Sequence, residues 1–242
     1  MLKKASILLA VFLFFSTSSA FGEKITLAYV DFPPYEFQAN NKADGILVKL
    51  VERIFQRADI DLELKFLPFQ RAYQYTLRDE VNGLFNFYKT PERLALFDYS
   101  EKIIQNPLVL FVKKGSPITF NTLADLKGLR VGVLRGYTYG IDFDKNTSFV
   151  KEIGNSHESN FKKLAMGRLD VYVCDRLVGL HVARETRLIS EFEILPVPVI
   201  IMDGHIGFAK DKHKSIILKI NKIIKEMHQN GEIEKILGSY RH

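Results

Sequence analysis

Residues 83–100, GLFNFYKTPERLALFDYS, place two structural signals back to back. The run 84–87 after Gly83 is short, apolar and aromatic, which predicts a buried strand. Thr90, Pro91 and Glu92 then supply a cap, a proline at the first helical position and an acid in the first turn, so a helix starts there. Strand followed by helix is half of an α/β unit, and the alternation continues in both directions. Upstream, 25–29 reads as a strand, and Ile46, Leu47, Leu50, Val51, Ile54 and Phe55 form a helical stripe. Residues 62–66 alternate as a strand and 71–78 read as a helix. Downstream, the apolar run 108–112 leads to Lys113-Lys114-Gly115-Ser116-Pro117, a polar break expected to cross between two halves. Strands follow at 130–134, 149–153, 171–174 and 192–195, helices at 161–166 and 177–184, and a loop at 136–140. Segments 199–201 and 204–208 form a return path. Ile216, Ile217, Ile220, Ile223, Ile224 and Met227 share one face of a last helix, stopped by Asn230-Gly231. This is an α/β pattern.

A chain of 242 residues with 47% hydrophobic and 26% charged residues buries a core without a disulfide or a structural metal, and the single cysteine, Cys174, excludes an intramolecular disulfide. Lys3 and Lys4, the apolar run 7–15 and the small, polar segment 16–20 have the order of a secretory signal peptide, cut after Ala20 or Gly22. The run is shorter than the roughly 20 residues a membrane-spanning helix needs. The formal charge is +6, and removing the two leader lysines lowers it to +4. Basic residues are scattered among acids, with no stripe or arm, which argues against nucleic-acid binding.

The common catalytic signatures are missing: no Gly-x-Ser-x-Gly, no P-loop, no His-Glu-x-x-His. The six histidines show no metal-ligand spacing. Neither a cofactor nor a metal is expected. The features present lie where strands end, which is where open α/β sheets bind ligands. They are Tyr29, Phe32 and Tyr35 after the first strand, Phe69 after the second, Arg93 beyond the third, and Asp175 at a strand end in the second half. Arg93 sits in a helix first turn, where the dipole disfavours a cation, so it is either solvated or paired with an anion. Asp175 either faces a ligand or caps the helix that follows it.

Across essentially the whole mature chain these segments resemble the periplasmic solute-binding proteins of the polar amino acid type, solute-binding family 3. ITLAYVDFPPYEFQANNKADGILVKLVERIF is similar to the family's first strand, aromatic loop and first helix. GLFNFYKTPERLALFDYS resembles its most specific motif, LADLKGLRVGVLRGYTYG the start of its second lobe, GRLDVYVCD its ligand-facing strand, and GHIGFAK its return to the first lobe. The resemblance implies a two-lobe type II periplasmic-binding-protein fold, each lobe an α/β sheet, with two crossovers forming a hinge. Lobe 1 would hold residues 23–112 and 206–242, and lobe 2 residues 113–205, after a cleaved leader at 1–22.

It further implies that Arg93 grips an amino acid's α-carboxylate and Asp175 receives its α-ammonium. Phe32 and Phe69 would sandwich the side chain, and Thr138, or Tyr137 one residue earlier, would add donors to the carboxylate. Asn86 and Tyr88 replace the usual glycine and small hydroxyl residue, and Tyr29 stands where the family often has an acid. Arg71 either reaches the cleft or is solvated. The expected protein is a periplasmic monomer, not an enzyme, that closes over an amino acid or small carboxylate and delivers it to an ABC-transporter permease. The rivals are a dehydratase-type enzyme in the same cleft and a sensory module without transport.

Overall fold

The computed structural model describes residues 24–238, and the expected leader, 1–22, lies outside them. The first half begins with β1 (Lys24–Tyr29), a hairpin of β2 (Phe37–Ala39) and β3 (Lys42–Asp44), α1 (Ile46–Arg57) and β4 (Asp61–Phe66). It continues with α2 (Phe69–Leu77), β5 (Gly83–Tyr88), α3 (Pro91–Leu94) and β6 (Phe97–Tyr99). The long strand β7 (Ile104–Lys113) leads to β8 (Arg130–Leu134), α4 (Ile141–Lys145), β9 (Val150–Gly154) and α5 (His157–Ala165). Then come β10 (Val171–Asp175), α6 (Arg176–Glu185), β11 (Phe192–Ile194), the long return strand β12 (Ile200–Ala209), α7 (Lys214–Gln229) and α8 (Glu232–Gly238).

The main sheet runs β4-β1-β5-β12-β7-β10-β8-β9, with β6 on β12 and β11 on β7. The two long strands join its halves. Antiparallel pairing from Ile200↔Leu108 to Gly204↔Ile104 holds β12 against β7. The remainder of β12 pairs with β5, whereas Leu108–Phe111 pairs with β10 and Phe111–Lys113 with β11. The run 108–112 thus already lies among the strands of the second half, and Lys113-Lys114-Gly115-Ser116 is a turn at its end, closed by Ser116 N–H donating to Lys113 C=O.

Alternation along β7 explains why this run is apolar throughout. Val109 and Phe111 pack on one face with Tyr172, Cys174 and Phe161, while Leu108, Leu110 and Val112 pack on the other with Val131, Val173 and Phe143. A strand covered on both faces loses the polar alternation of a half-exposed one. In the first half, α1, α7 and α8 pack together over one face, and α2 covers the other above Ala28, Leu84, Phe87 and Phe97.

The start of α1 shapes the aromatic loop. No side chain caps this helix; Ile46 N–H donates to Pro34 C=O at 3.0 Å and Leu47 N–H to Tyr35 C=O at 2.8 Å. A Cβ on Gly45 would collide with Tyr35 C=O, and its φ of 125° suits only glycine. The loop is therefore clamped beneath the helix, and Phe32, Tyr35 and Glu36 are set in place by it.

Candidate functional site

A cleft is lined by Phe32, Glu36, Phe69, Asn86, Tyr88, Arg93, Tyr137 and Thr138, with Val30 and residues 84, 85 and 87 behind them. It opens into a wider groove bordered by Tyr73, Lys89, Glu92, Asp144 and Ile200. The structure therefore brings together six expected residues: Phe32, Phe69, Asn86, Tyr88, Arg93 and Thr138. Three others lie apart from this lining. Tyr29 is buried with its ring 5.4 Å from Phe66, Arg71 is exposed on α2, and Asp175 is buried at the end of β10.

Arg93 is positioned by its own helix start. Thr90 Oγ1 accepts from Arg93 N–H at 3.2 Å, fixing the first turn of α3, and Arg93 Nη1 donates to Tyr88 C=O at 3.0 Å. Its guanidinium carbon stands 4.5 Å from the Phe87 ring centre, 5.7 Å from Phe69 and 6.0 Å from Tyr73, a cation–π cradle. Burial pulls its pKa below the ordinary arginine value. Among the described residues no carboxylate lies within 4.0 Å of it.

Glu36 adds a carboxyl to the same lining. It is 1% exposed, its carboxyl accepts from Val30 N–H at 3.3 Å, and burial drives its pKa well above the usual carboxylate range. It has no ion-pair partner within 4.0 Å among the described residues. Sequence reasoning missed it because a lone glutamate among the aromatics of the loop carries no periodic signal.

Asn86 adopts φ 53° in β5, the left-handed region where glycine is easiest and asparagine among the best tolerated. The chain thus keeps a glycine-like conformation at the position where the resembled family carries glycine. Asn106 Nδ2 donates to Asn86 Oδ1 and to Tyr88 Oη, each at 2.7 Å, and fixes both side chains. Asn106, fully buried in β7, was also missed; a polar residue just before an apolar run was its one sequence signal.

Asp175 fills its own coordination. As N-cap of α6, its Oδ1 accepts from Leu177 N–H at 2.9 Å and Val178 N–H at 3.0 Å, and its Oδ2 accepts from Tyr35 Oη at 3.2 Å. It is 2% exposed, and burial raises its pKa to about 6. The Tyr35 bond ties the two halves together. Thr138 Oγ1 donates to Asp144, whose carboxylate also accepts from Tyr139 N–H, so this hydroxyl is held within its own loop. Tyr137 meets Phe32 at 6.2 Å and Phe69 at 5.7 Å across the cleft, and Gln70 packs so closely on Gly136 that a Cβ there would clash.

Comparison with known proteins places this geometry. The model of the bacterial extracellular solute-binding proteins, family 3, matches residues 25–242. The arginine-binding extracellular protein ArtP of Bacillus subtilis (strain 168) is 26% identical over 210 residues, covering 85% of this chain and 81% of ArtP. Among solved structures, the substrate-binding protein of an amino acid ABC transporter superposes with a TM-score of 0.72 at 24% identity, covering 90% of this chain and 99% of the other. A histidine kinase sensor domain with similarity to periplasmic binding proteins gives 0.77 at 19% identity, covering 91% and 96%. The fold is the two-lobe type II architecture of periplasmic binding proteins. With a match spanning nearly every described residue, the chain belongs to the bacterial extracellular solute-binding proteins of family 3.

Proposed function

We propose that this protein binds an amino acid or a closely related zwitterion outside the cytoplasm, as the periplasmic component of an ABC-type uptake system. The observation that carries the reading is a guanidinium and a carboxyl, Arg93 and Glu36, in one small cleft, each without an ion-pair partner among the described residues. Arg93 takes the ligand's carboxylate through a planar fork, Glu36 takes its ammonium, and Phe32, Phe69 and Tyr137 enclose the apolar stem. ArtP and the amino acid transporter protein are named for such ligands.

The lobes, expected as 23–112 with 206–242 and as 113–205, open about the paired segments 104–108 and 200–204, where β7 and β12 carry the described chain between the halves, which moves 109–112 to the second lobe. The mature chain begins after the leader, acts as a monomer, presents its ligand to a membrane permease and catalyses no reaction. Likeness to a kinase sensor domain favours a second reading, in which the same closure is reported to a receptor. Loss of uptake on deletion, with transcriptional responses intact, separates transport from sensing.

The test is a thermal-shift screen of the mature protein against the L-amino acids and small carboxylates lacking an amine. A ligand at about 100 times its Kd stabilises the protein by about 2.7 kcal/mol. An amino acid that shifts the melt while its des-amino analogue does not supports the reading. A screen in which no amino acid acts overturns it.

A further inference from the structure

Tyr35 and Asp175 belong to different halves, and neither is part of the cleft lining. Tyr35 Oη donates to Asp175 Oδ2 at 3.2 Å, and each residue is 2% exposed. Each is also fixed to its own half. Tyr35 C=O accepts from Leu47 N–H at 2.8 Å, so the residue moves with α1. Asp175 Oδ1 accepts from Leu177 N–H and Val178 N–H, so the carboxyl moves with α6 and turns Oδ2 to the phenol. The bond therefore joins two separately anchored bodies, and it forms at one relative placement of the halves. Aromatic rings extend the contact. Tyr35 stacks on Phe32 at 5.7 Å, and Phe32 meets Tyr137 and His157 of the second half at 6.2 Å and 6.0 Å between centres. All of these contacts are between the protein's own side chains.

We propose that Tyr35 and Asp175 form a latch that holds the two halves together in the ligand-free protein. Closure is then an equilibrium of the fold itself, which a ligand biases and does not create. The inference rests on the hinge proposed above and on none of its ligand chemistry. Parting the halves exchanges the buried bond for bonds to water, so its net contribution is a small difference and the halves still open. Removing the phenolic oxygen alone withdraws the bond and keeps the ring that stacks on Phe32. The closed-to-open ratio should then fall about tenfold, as expected for one hydrogen bond to a charged group.

The test is small-angle X-ray scattering of the mature protein, refolded from urea to strip any bound ligand, as wild type and as Tyr35→Phe. Melting temperature serves as the folding control. The wild type should give the profile of the closed structure, and Tyr35→Phe a larger radius of gyration. An expanded wild type, or a variant as compact as the wild type, overturns the latch. No ligand enters this measurement, so a thermal-shift screen in which no amino acid acts removes the ligand reading and leaves the latch standing. If Tyr35→Phe does not fold, NMR of tyrosine-labelled wild type decides. A Tyr35 hydroxyl hydrogen that exchanges slowly with water supports the latch, and one that exchanges as fast as an exposed phenol refutes it.

Discussion

Residues before β7 bring to the cleft a guanidinium and a carboxyl that the protein leaves without ion-pair partners, whereas residues after it bring carboxylates that the protein's own backbone and hydroxyls already occupy. Arg93 has aromatic faces and one carbonyl around it, and Glu36 one backbone N–H. Asp175, by contrast, accepts two helix N–H groups and a tyrosine hydroxyl, and Asp144 holds Thr138 and Tyr139. The contrast separates two uses of polar groups at one cleft. A group without a partner is open to one, and a satisfied group holds its own loop or helix start in place. Asp175 is 2% exposed and Glu36 1%, so burial alone does not distinguish the two kinds.

The strongest way to break this comparison is Arg93→Ala. If Arg93 is the anion receptor, the ligand's carboxylate is left buried and unpaired, and binding weakens by about 2 to 5 kcal/mol. Arg93→Lys should recover little, because an ammonium cannot form two parallel hydrogen bonds. Calorimetry with melting temperature as a folding control measures both, and near-wild-type affinity in Arg93→Ala would refute the assignment.

Asp175 gives the next largest effect, and it falls on stability. Its folded pKa of about 6 lies above the ordinary aspartate value of 3.8, so the folded state holds the proton more tightly. The associated stabilisation is fully present below about pH 4 and lost as pH rises through about 6. A difference of about two units corresponds to about 3 kcal/mol. Asn caps helices as well as Asp, so Asp175→Asn should fold and lack this component. Urea melts of both proteins from pH 4 to pH 7 should converge at low pH and leave the variant relatively more stable at pH 7. Parallel curves would show that Asp175 does not titrate in this range.

The smallest expected effect is that of Thr138→Ala. With its hydroxyl bound to Asp144, its removal should change affinity by less than about 1 kcal/mol, the net worth of a neutral hydrogen bond. A loss as large as that of Arg93→Ala, read by the same calorimetry, would mean that the hydroxyl turns to the ligand on closure and that the second half contributes directly to recognition.

Much of this architecture was legible in the sequence because its determinants are local. The stripe from Ile46 to Phe55 needs only a 3.6-residue period, and α1 buries those residues. Thr90 and Pro91 start α3 within four residues of Arg93, and the bond from Arg93 N–H to Thr90 is the expected cap. The short elements β2, β3, β6, α4 and α8 went unread, since three to seven residues carry too little periodicity.

What the sequence by itself determined, then, was the order of strands and helices, the helix starts and the presence of Arg93 beside a strand end. Tertiary structure alone decided what each charge meets. Asp175 finds Tyr35 across 140 residues of chain, Asn106 orients Asn86 and Tyr88 from twenty and eighteen residues away, and Glu36 is buried by the packing of its aromatic loop against the start of α1. Periodicity and capping are set by neighbours within a turn or two, whereas desolvation and the pairing of a charge depend on which distant segments exclude water around it.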